Sequence, residues 1–408
     1  MTDYVENRSG PLSGYRILDL SAVLSGPLAT TWLCDQGAEV IKVEAFDGDI
    51  LRHVRKNDNG LTTIFVSGNR GKYGLAIDLK TAAGINVVKR IVPEVDVVVQ
   101  NFRPGAIERM GLGYDTLKTI NPSVVYCSIS GFGNEGPYIN KRIYDPVIQG
   151  MSGLTSVQGG VGQPPKMIRT LIPDVVTALT AAQAITAALL ARASSNPIKG
   201  KGKGKGQHIT VAMIDAMIAL TWPSMMSNNM LVDEDGAEPT AANQGDNLLF
   251  KTADGYITAA ALSEAEWQGL CSAVDKQEWL NHEQLNTPAG RTGNTDTLSA
   301  LLSPILEQRP SAHWLTLFDE HGVPSGPVLD PADIPHNEQI IANELVEVLD
   351  HPGIGRMRQS RPAARFSETP AQIQGPAPKI GEHTRTILDQ FSFSEAEIDE
   401  LYAQGIVR

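Results

Sequence analysis

Residues 15–45, "YRILDLSAVLSGPLATTWLCDQGAEVIKVEA", decide the fold class. The run "YRILDLS" is rich in Ile and Leu and is typical of a short buried strand. "GPLATTWLCDQG" predicts a helix, because Pro27 suits a first helical turn and Gly37 suits a helix end. "AEVIKVEA" then predicts a second strand. A strand, a helix and a strand in this order indicate parallel strands joined by a crossover helix.

The same alternation continues to residue 133. "TAAGINVVKRIVPE" (81–94) predicts an amphipathic helix before the apolar strand "VDVVVQNF" (95–102), and "GYDTLKTIN" (113–121) predicts a helix before the strand "SVVYCSISGFG" (123–133). Nearly continuous apolar strands are typical of a parallel sheet that helices cover on both faces. We therefore predict an α/β fold built on a doubly wound, Rossmann-like parallel sheet.

The pattern changes at about residue 225, where a polar, turn-rich stretch follows the strand-to-helix segment "HITVAMIDAMIAL" (208–220). "LLFKTADGYITAAAL" (248–262) predicts a β-hairpin around Asp254 and Gly255, with helices after it. We therefore predict a smaller α+β domain, 226–328, inserted into a large α/β domain that comprises 1–225 and 329–408.

The composition is that of an ordinary globular protein of 408 residues, 42% hydrophobic and 20% charged. A net charge of -12 argues against nucleic-acid binding. Cys34, Cys127 and Cys271 lack metal-site spacing and indicate reduced thiols, so we expect a cytoplasmic protein. No apolar leader is visible at the start of the sequence, and the segment 171–191 is rich in Ala and Thr. We therefore expect neither a secretory signal nor a membrane span.

The turn "LSGPLAT" (24–30) follows the first strand, where an open α/β sheet binds its ligands. This turn lacks the G-x-G-x-x-G fingerprint, so a nicotinamide dehydrogenase has little support, and the scattered histidines give little support to a metal site. Basic residues near the loops are expected to form a site for a phosphate-bearing cofactor. They are Arg70, Lys72, Lys80, Arg103, Arg109, Lys141 and Arg142.

Asp174 is the one ionisable residue between Thr170 and Arg192 in "RTLIPDVVTALTAAQAITAALLAR". A carboxylate just after Pro173 is a favourable helix start, because it interacts with the free N–H groups of the first turn. The same position would also suit a nucleophile held at a helix N-terminus. Spacing alone favours the helix start.

Eight segments in order along nearly the whole chain resemble the family III CoA-transferases, the group that includes formyl-CoA transferase and carnitine CoA-transferase. Any one of them is weak evidence, but the ordered set is specific. The segments are "ILDLSAVLSGPLATTWLCDQGAEVIKVE", "NRGKYGLAIDLKT", "VDVVVQNFRPGAIERMGLGYDTL", "GFGNEGPY", "GQHITVAMIDAM", "TADGYI", "GVPSGPV" and "IGEHT".

The resemblance implies that Asp174 is the catalytic nucleophile of a CoA-transferase acting through aspartyl anhydride and aspartyl-CoA thioester intermediates. It implies acyl-CoA and a free carboxylic acid as substrates, no metal or redox cofactor, no nucleic-acid or membrane partner, and a homodimer of interlocked subunits. It also carries a set of CoA-binding positions onto this chain. They are Val23, Leu24, Ser25, Ile77, Lys80, Asn101, Phe102, Arg109, Arg142, Tyr144 and Met213.

The sequence departs from formyl-CoA transferase at two places. Ala45 stands where that enzyme has a cation, and "AANQGDNLL" (241–249) keeps only Gly245 of its glycine-rich lid. These differences weaken a formyl and oxalate substrate pair. A dicarboxyl-CoA donor such as succinyl-CoA is our hypothesis, because Arg142 and neighbouring cations could bind a second carboxylate.

The main alternative is an α-methylacyl-CoA racemase. The sequence also resembles this enzyme, which shares the scaffold of the CoA-transferases but moves a proton with a His and an Asp. Tyr144 stands at the position of that His, and a residue near Ser263 at the position of its supporting Glu. A phenol with a pKa near 10 shuttles protons poorly at neutral pH, so racemisation is disfavoured. A remote alternative is a non-catalytic CoA-binding protein, which would not need Asp174.

Overall fold

A computed structural model describes residues 8–54, 61–160, 162–194, 204–226, 230 and 248–408. The chain divides into two compact units, Met1–Ala242 with Glu344–Arg408 and Asn243–Asn343. The first and last parts of the chain thus share one unit. The domain bounds of 226 and 328 stay a prediction.

The first unit is built on a six-stranded sheet in the order β3-β2-β1-β4-β5-β6, in which all neighbours are parallel. This confirms the predicted α/β fold with a parallel sheet. The strands are β1 Arg16–Asp19, β2 Glu39–Glu44, β3 Tyr73–Ala76, β4 Val97–Gln100, β5 Val125–Ser130 and β6 His208–Ala212.

Strand order reverses at β1, which pairs with β2 on one side and with β4 on the other. Ile17 lies opposite both Val40 and Val97. The chain leaves the ends of β1 and β4 in opposite directions, and this opens a crevice at their carboxyl ends.

Nine helices of this unit lie within the described residues up to 226 and cover the two faces of the sheet. Ile17 packs on the face that α1 and α8 cover, and Leu18 packs on the opposite face, which α3 and α5 cover. The helices are α1 Ser25–Asp35, α2 Thr63–Ser67, α3 Ala82–Ile91, α4 Ala106–Arg109, α5 Tyr114–Ile120, α6 Asp145–Met151, α7 Leu154–Gly159, α8 Ile172–Ser194 and α9 Met213–Met225.

Helix α8 is Ala-rich because it packs closely against the sheet and α1. Ala178, Ala181 and Ile185 are fully buried in the same cluster as Leu33 of α1. By length and composition alone α8 could also cross a membrane, contrary to our expectation for this segment. Near the end of the helix, Arg192 donates a 2.9 Å hydrogen bond to Asp96 at the sheet.

The second unit contains a three-stranded antiparallel sheet in the order β7-β8-β9, and the predicted hairpin around Asp254 is confirmed. Ser263 and Glu266 form a capping box at the start of its first helix. Its elements are β7 Leu249–Lys251, β8 Tyr256–Ala259, α10 Glu264–Ala273, α11 Pro288–Gly293, α12 Thr295–Leu306, α13 Ser311–Glu320, β9 Ser325–Pro327 and α14 Glu338–Ala342.

The returning chain adds an antiparallel hairpin and two helices to the first unit. Near its end, the backbone N–H of Asp78 donates to Ile406, so the last residues lie beside the end of β3. The elements are β10 Val346–His351, β11 Gly355–Ser360, α15 Thr384–Gln390 and α16 Glu395–Ala403.

Candidate active site

Two cavities of the first unit lie at the carboxyl ends of its strands, beside the crevice between β1 and β4. The Asp174 cavity has a volume of about 350 Å³, and Ser25, Phe102, Tyr144 and Asp174 are among its lining residues. The Lys80 cavity has a volume of about 550 Å³ and is lined in part by Lys80 and Phe102. Because Phe102 lines both, one extended ligand could occupy the two cavities together.

Asp174 occupies the first turn of α8 and is only 9% exposed. The backbone N–H and the hydroxyl of Ser25 lie near its carboxylate and favour the ionised form. Ser25 begins α1, whose N-cap Leu24 supplies no side-chain cap, so the Asp174 carboxylate lies beside the start of this second helix as well as in the first turn of its own.

Burial nevertheless raises the pKa of Asp174 to about 6, and the neighbouring Asp145 carboxylate adds to this shift. The nearby N–H and hydroxyl of Ser25 oppose the shift without cancelling it. Asp174 is therefore ionised at neutral pH, but it is held closer to its protonated form than an exposed aspartate.

Asp145 begins α6 and is buried, and burial raises its pKa too. Its Oδ1 accepts a 2.7 Å hydrogen bond from Gln149. The backbone N–H of Asp174 lies near the same carboxylate, yet Oδ2 has no hydrogen-bond partner of normal geometry within the described residues. Gln149 also binds the backbone of Ile168 at 3.0 Å and of Thr170 at 3.3 Å. It thus fixes the segment that leads into α8.

The turn between β1 and α1 is fixed by Asn101, which follows β4. Its side chain accepts from the N–H of Ala22 at 2.9 Å and donates to the carbonyl of the same residue at 2.7 Å. Gly26 permits the close approach of α1 to this turn, since a Cβ there would lie 2.4 Å from the side chain of Ser21.

The cations predicted to form one anion site fall into two groups. Within the described residues, Arg103, Lys141 and Arg142 line the Asp174 cavity without forming an ion pair, whereas Lys80 and Arg109 line the Lys80 cavity.

The prediction is wrong for Arg70 and Lys72, which lie among the buried residues instead. Arg70 is paired with Asp35 at 2.7 Å, and Lys72 is paired with Asp19 at 2.9 Å. A buried cation needs such a carboxylate partner, and burial lowers the pKa of Lys72 to about 8.

Most of the residues predicted to bind CoA line one of the two cavities. Leu24 does not, because its side chain is buried beside Leu51 and Phe65. Gly245 lies outside the described residues. The Asp174 cavity is lined by Val23, Ser25, Asn101, Phe102, Arg142, Tyr144 and Met213, and the Lys80 cavity by Ile77, Lys80, Phe102 and Arg109.

Sequence reasoning missed Asp145 and Gln149 as parts of the site. Their signal was a helix start, since Asp145 precedes Pro146 and lies four residues before Gln149. Among the described residues there is no cluster of three or more His, Cys, Asp or Glu side chains that could hold a metal.

Comparison with known proteins gives consistent matches over nearly the whole chain. A sequence model of CoA-transferase family III matches residues 12–384. Succinyl-CoA:glutarate CoA-transferase from Mus musculus is 34% identical over 403 residues, which are 97% of this chain and 90% of that protein. Succinate–glutarate CoA-transferase from Agrobacterium fabrum is 31% identical over 408 residues, covering 97% and 99% of the two chains. The crystal structure of a CAIB/BAIF family protein from Brucella suis matches with a TM-score of 0.79 at 31% identity, covering 94% of this chain and 100% of that one.

Proposed function

Because the chain belongs to CoA-transferase family III, we propose that it transfers CoA from a dicarboxyl-CoA donor, such as succinyl-CoA, to a carboxylic acid through Asp174. The observation that carries this proposal is the Asp174 carboxylate, which lines a cavity together with Ser25 and three cations that have no ion-pair partner among the described residues. A buried, ionised carboxylate of this kind is suited to covalent catalysis.

In the first half of the reaction, an oxygen of Asp174 attacks the thioester carbonyl carbon of the donor. The C–S bond breaks, CoA leaves as a thiolate, and a mixed anhydride joins Asp174 to the donor acyl group. The thiolate then attacks the aspartyl carbonyl and releases the donor as a free carboxylate. Asp174 is left as a thioester of CoA.

In the second half, the carboxylate of the acceptor attacks the aspartyl carbonyl and expels CoA thiolate. A second anhydride now joins Asp174 to the acceptor. The thiolate attacks the acyl carbonyl of the acceptor, so that the new acyl-CoA leaves and the Asp174 carboxylate is regenerated. No net proton transfer is needed, which suits a cavity whose nucleophile is buried.

CoA itself would extend from the Lys80 cavity to the Asp174 cavity. Lys80 and Arg109, which line the Lys80 cavity, would neutralise its phosphates, and Phe102, which lines both cavities, would contact the pantetheine arm. The nearby N–H and hydroxyl of Ser25 would orient the Asp174 carboxylate towards the thioester.

A second carboxylate on the substrate is supported by Arg103, Lys141 and Arg142, which bring three positive charges to the Asp174 cavity. The mouse and Agrobacterium relatives are named for succinyl, succinate and glutarate, which are dicarboxylates. We therefore propose succinyl-CoA as donor and a dicarboxylate such as glutarate as acceptor.

The protein would act as a homodimer in the cytoplasm. An exposed apolar face on α8 supports the dimer, since Leu179 and Leu190 are 54% and 68% exposed on the side opposite the sheet. The three cysteines are buried and free, which is consistent with a reducing compartment.

The test is to incubate the protein with succinyl-CoA, acetyl-CoA or butyryl-CoA and a panel of acids, and to follow the acyl-CoA products by mass spectrometry. Succinyl-CoA with glutarate should give glutaryl-CoA, and Asp174→Ala should abolish exchange while CoA still binds. Hydroxylamine should inactivate the enzyme only after acyl-CoA is added. Exchange that persists in Asp174→Ala, or epimerisation of a 2-methylacyl-CoA without any exchange, would contradict the proposal.

The dicarboxylate preference has its own test in Arg142→Gln. Removing this charge should raise KM for succinyl-CoA about tenfold and leave KM for butyryl-CoA nearly unchanged. Arg385→Gln is the matched control, because Arg385 forms an exposed pair with Asp399 and lines neither cavity. An equal rise for both donors would show that Arg142 binds the CoA moiety instead.

A further inference from the structure

Val23, in the turn between β1 and α1, has a left-handed backbone with φ of 67°. A β-branched residue is a clear outlier in this region, because its Cβ substituents crowd the backbone. Such a conformation is retained only where the surrounding structure imposes it. The turn therefore contains strain at a residue that lines the Asp174 cavity.

The backbone N–H of Val23 is bound by Asp49, which follows β2. It lies 3.1 Å from Oδ2 and 3.3 Å from Oδ1 of that carboxylate. Lys42 donates to Oδ2 at 3.2 Å, and both side chains of this ion pair are only 1% exposed. Lys42 also donates to the carbonyl of Ser21 at 3.0 Å, so the pair binds the turn at two points.

Lys42 is held in its charged form at this buried position. Burial acts to lower the pKa of Lys42, but the carboxylates of Asp19, Asp49 and Glu44 together raise it above its ordinary value. A charged lysine keeps Asp49 oriented towards the turn, since the attraction of the pair is strong where water is absent.

The other residues of the turn are bound by different side chains. Asp19 accepts from the backbone N–H and the hydroxyl of Ser21, and Asn101 binds both backbone groups of Ala22. Within the part of the chain that the structure describes, Asp49 is therefore the side chain that hydrogen-bonds the strained residue directly. Two positions later the chain reaches Ser25, which lies beside the Asp174 carboxylate and favours its ionised form.

We propose that Asp49, oriented by Lys42, is a positioning residue that holds Val23 in the left-handed conformation and so presents the turn 21–25 to acyl-CoA. The proposal rests on the proposed function, in which CoA lies along this turn and its thioester meets Asp174. The competing explanation is that Asp49 serves only to neutralise Lys42 and to cap the 3-10 turn Ile50–Arg52, whose Leu51 N–H it accepts at 3.0 Å.

The two explanations differ in how they depend on residue 23. Asp49→Asn keeps the side-chain size but removes the charge and leaves one acceptor oxygen. Val23→Gly adopts a left-handed backbone without a steric penalty. If Asp49 acts by imposing that conformation, glycine at position 23 makes it largely dispensable. If Asp49 only stabilises the fold, its removal has the same effect in either background.

The experiment is a double-mutant cycle on the full chain, with kcat/KM for CoA exchange and the Kd for CoA by calorimetry as readouts. We expect D49N to lower kcat/KM and weaken CoA binding about tenfold in the Val23 background, and by less than about threefold in the V23G background. Asp96→Asn is the matched control. Asp96 pairs with Arg192 at a buried site before the amino end of β4. The Asp96→Asn substitution should therefore lower Tm in both backgrounds without changing kcat/KM or the Kd for CoA.

Equal losses in the two backgrounds, or no loss in the Val23 background, would overturn the proposal. Should D49N alone fail to fold, the V23G/D49N variant must still fold and bind CoA, and its failure would count against the proposal equally. The Kd for CoA separates this inference from the proposed function. If the wild type exchanges no CoA between acids, but the variants still show the predicted coupling in the Kd for CoA, only the transfer chemistry is refuted.

Discussion

Asp174 is placed where it destabilises the protein at neutral pH. Its pKa is raised from 3.8 to about 6 by burial and by Asp145. Between these values the folded chain holds a proton that the unfolded chain has released, so raising the pH through this window lowers the free energy of unfolding. The destabilisation is complete above the folded-state pKa, where the nucleophile is ionised. Residues needed for chemistry are often of this kind.

We therefore expect Asp174→Asn to be inactive and more stable than the wild type at pH 7.5, by up to about 2 kcal/mol. At pH 4 the two proteins should unfold at nearly the same temperature. Thermal unfolding at both pH values without substrate tests this. Asp254→Asn is a control that should lower stability at pH 7.5 instead of raising it, because hydrogen bonds with Ser311 hold the pKa of Asp254 below its usual value. Asp174→Asn would contradict the prediction by unfolding below the wild type at pH 7.5.

The pH dependence of exchange should depend on Asp145. With Asp174 as nucleophile, kcat/KM should rise through a pKa of about 6 and level off above it. Asp145→Asn removes the neighbouring negative charge, so the acidic limb should move to lower pH. The measurement is kcat/KM between pH 4.5 and pH 8. Asp254→Asn in the second unit should leave the limb unchanged, and an unshifted limb in Asp145→Asn would show that burial alone sets this pKa.

At the level of single residues, the sequence predicts the helix or strand position of a side chain better than it predicts which charged groups lie next to that side chain. Asp174 was identified as a helix-start carboxylate and lies in the first turn of α8. Its raised pKa was not foreseen, because Asp145 comes from a different helix. For the same reason the sequence does not predict that Lys72 is paired: its partner Asp19 lies 53 residues earlier in the chain, and only the folded sheet brings them together.

The first residue of helix α1, Ser25, lies beside the nucleophile, so a small displacement of the helix start would change the surroundings of Asp174. The first turn of α1 has no side-chain cap of its own, and the N–H and hydroxyl of Ser25 lie near the Asp174 carboxylate instead. This arrangement requires α1 to begin directly against Ser21, and only a residue without a Cβ fits at position 26. The glycine therefore links the packing of a helix to the geometry of the site.

We expect Gly26→Ala to reduce kcat about tenfold or more and to destabilise the protein by about 1–3 kcal/mol, because the new Cβ would lie 2.4 Å from Ser21. Exchange kinetics and chemical unfolding measure the two effects. Gly293→Ala is the matched control: nothing lies within 4 Å of a Cβ there, and neither quantity should fall. Normal exchange by Gly26→Ala would show that the start of α1 is not required in this position.

Elements with a strong local pattern were predicted from sequence, whereas strand β3 was not. The β1–α1–β2 segment and the hairpin at Asp254 appear where expected. The segment of β3, Tyr73–Ala76, reads "YGLA", which contains a glycine and no β-branched residue, so the local pattern of a strand is weak. It is a strand because it pairs with β2, with Tyr73 opposite Ile41, and this information is not local.

For the whole molecule, the alternation of strands and helices predicted the parallel sheet but not the order of its strands. The order β3-β2-β1-β4-β5-β6 sets where the crevice forms, and hence why Asn101 after β4 can clamp Ala22 after β1. Relatives with succinyl, succinate and glutarate in their names match over 97% of this chain. The substrate pair and the subunit assembly are properties that the alternation of elements does not encode.

The last prediction concerns assembly and follows from the outer face of α8. Leu179 and Leu190 line a groove of about 700 Å³ together with Trp32 and Phe366, so an apolar surface continues from the helix to the returning chain. A soluble monomer rarely exposes such a surface, and a second copy would cover it. We expect the wild type to have twice the mass of one chain in sedimentation equilibrium, and Leu179→Glu with Leu190→Glu to be monomeric. Ile341→Glu, at an equally exposed apolar residue of α14, should remain dimeric. A wild type that is monomeric, or a double variant that remains dimeric, would mean that this face is not the subunit interface.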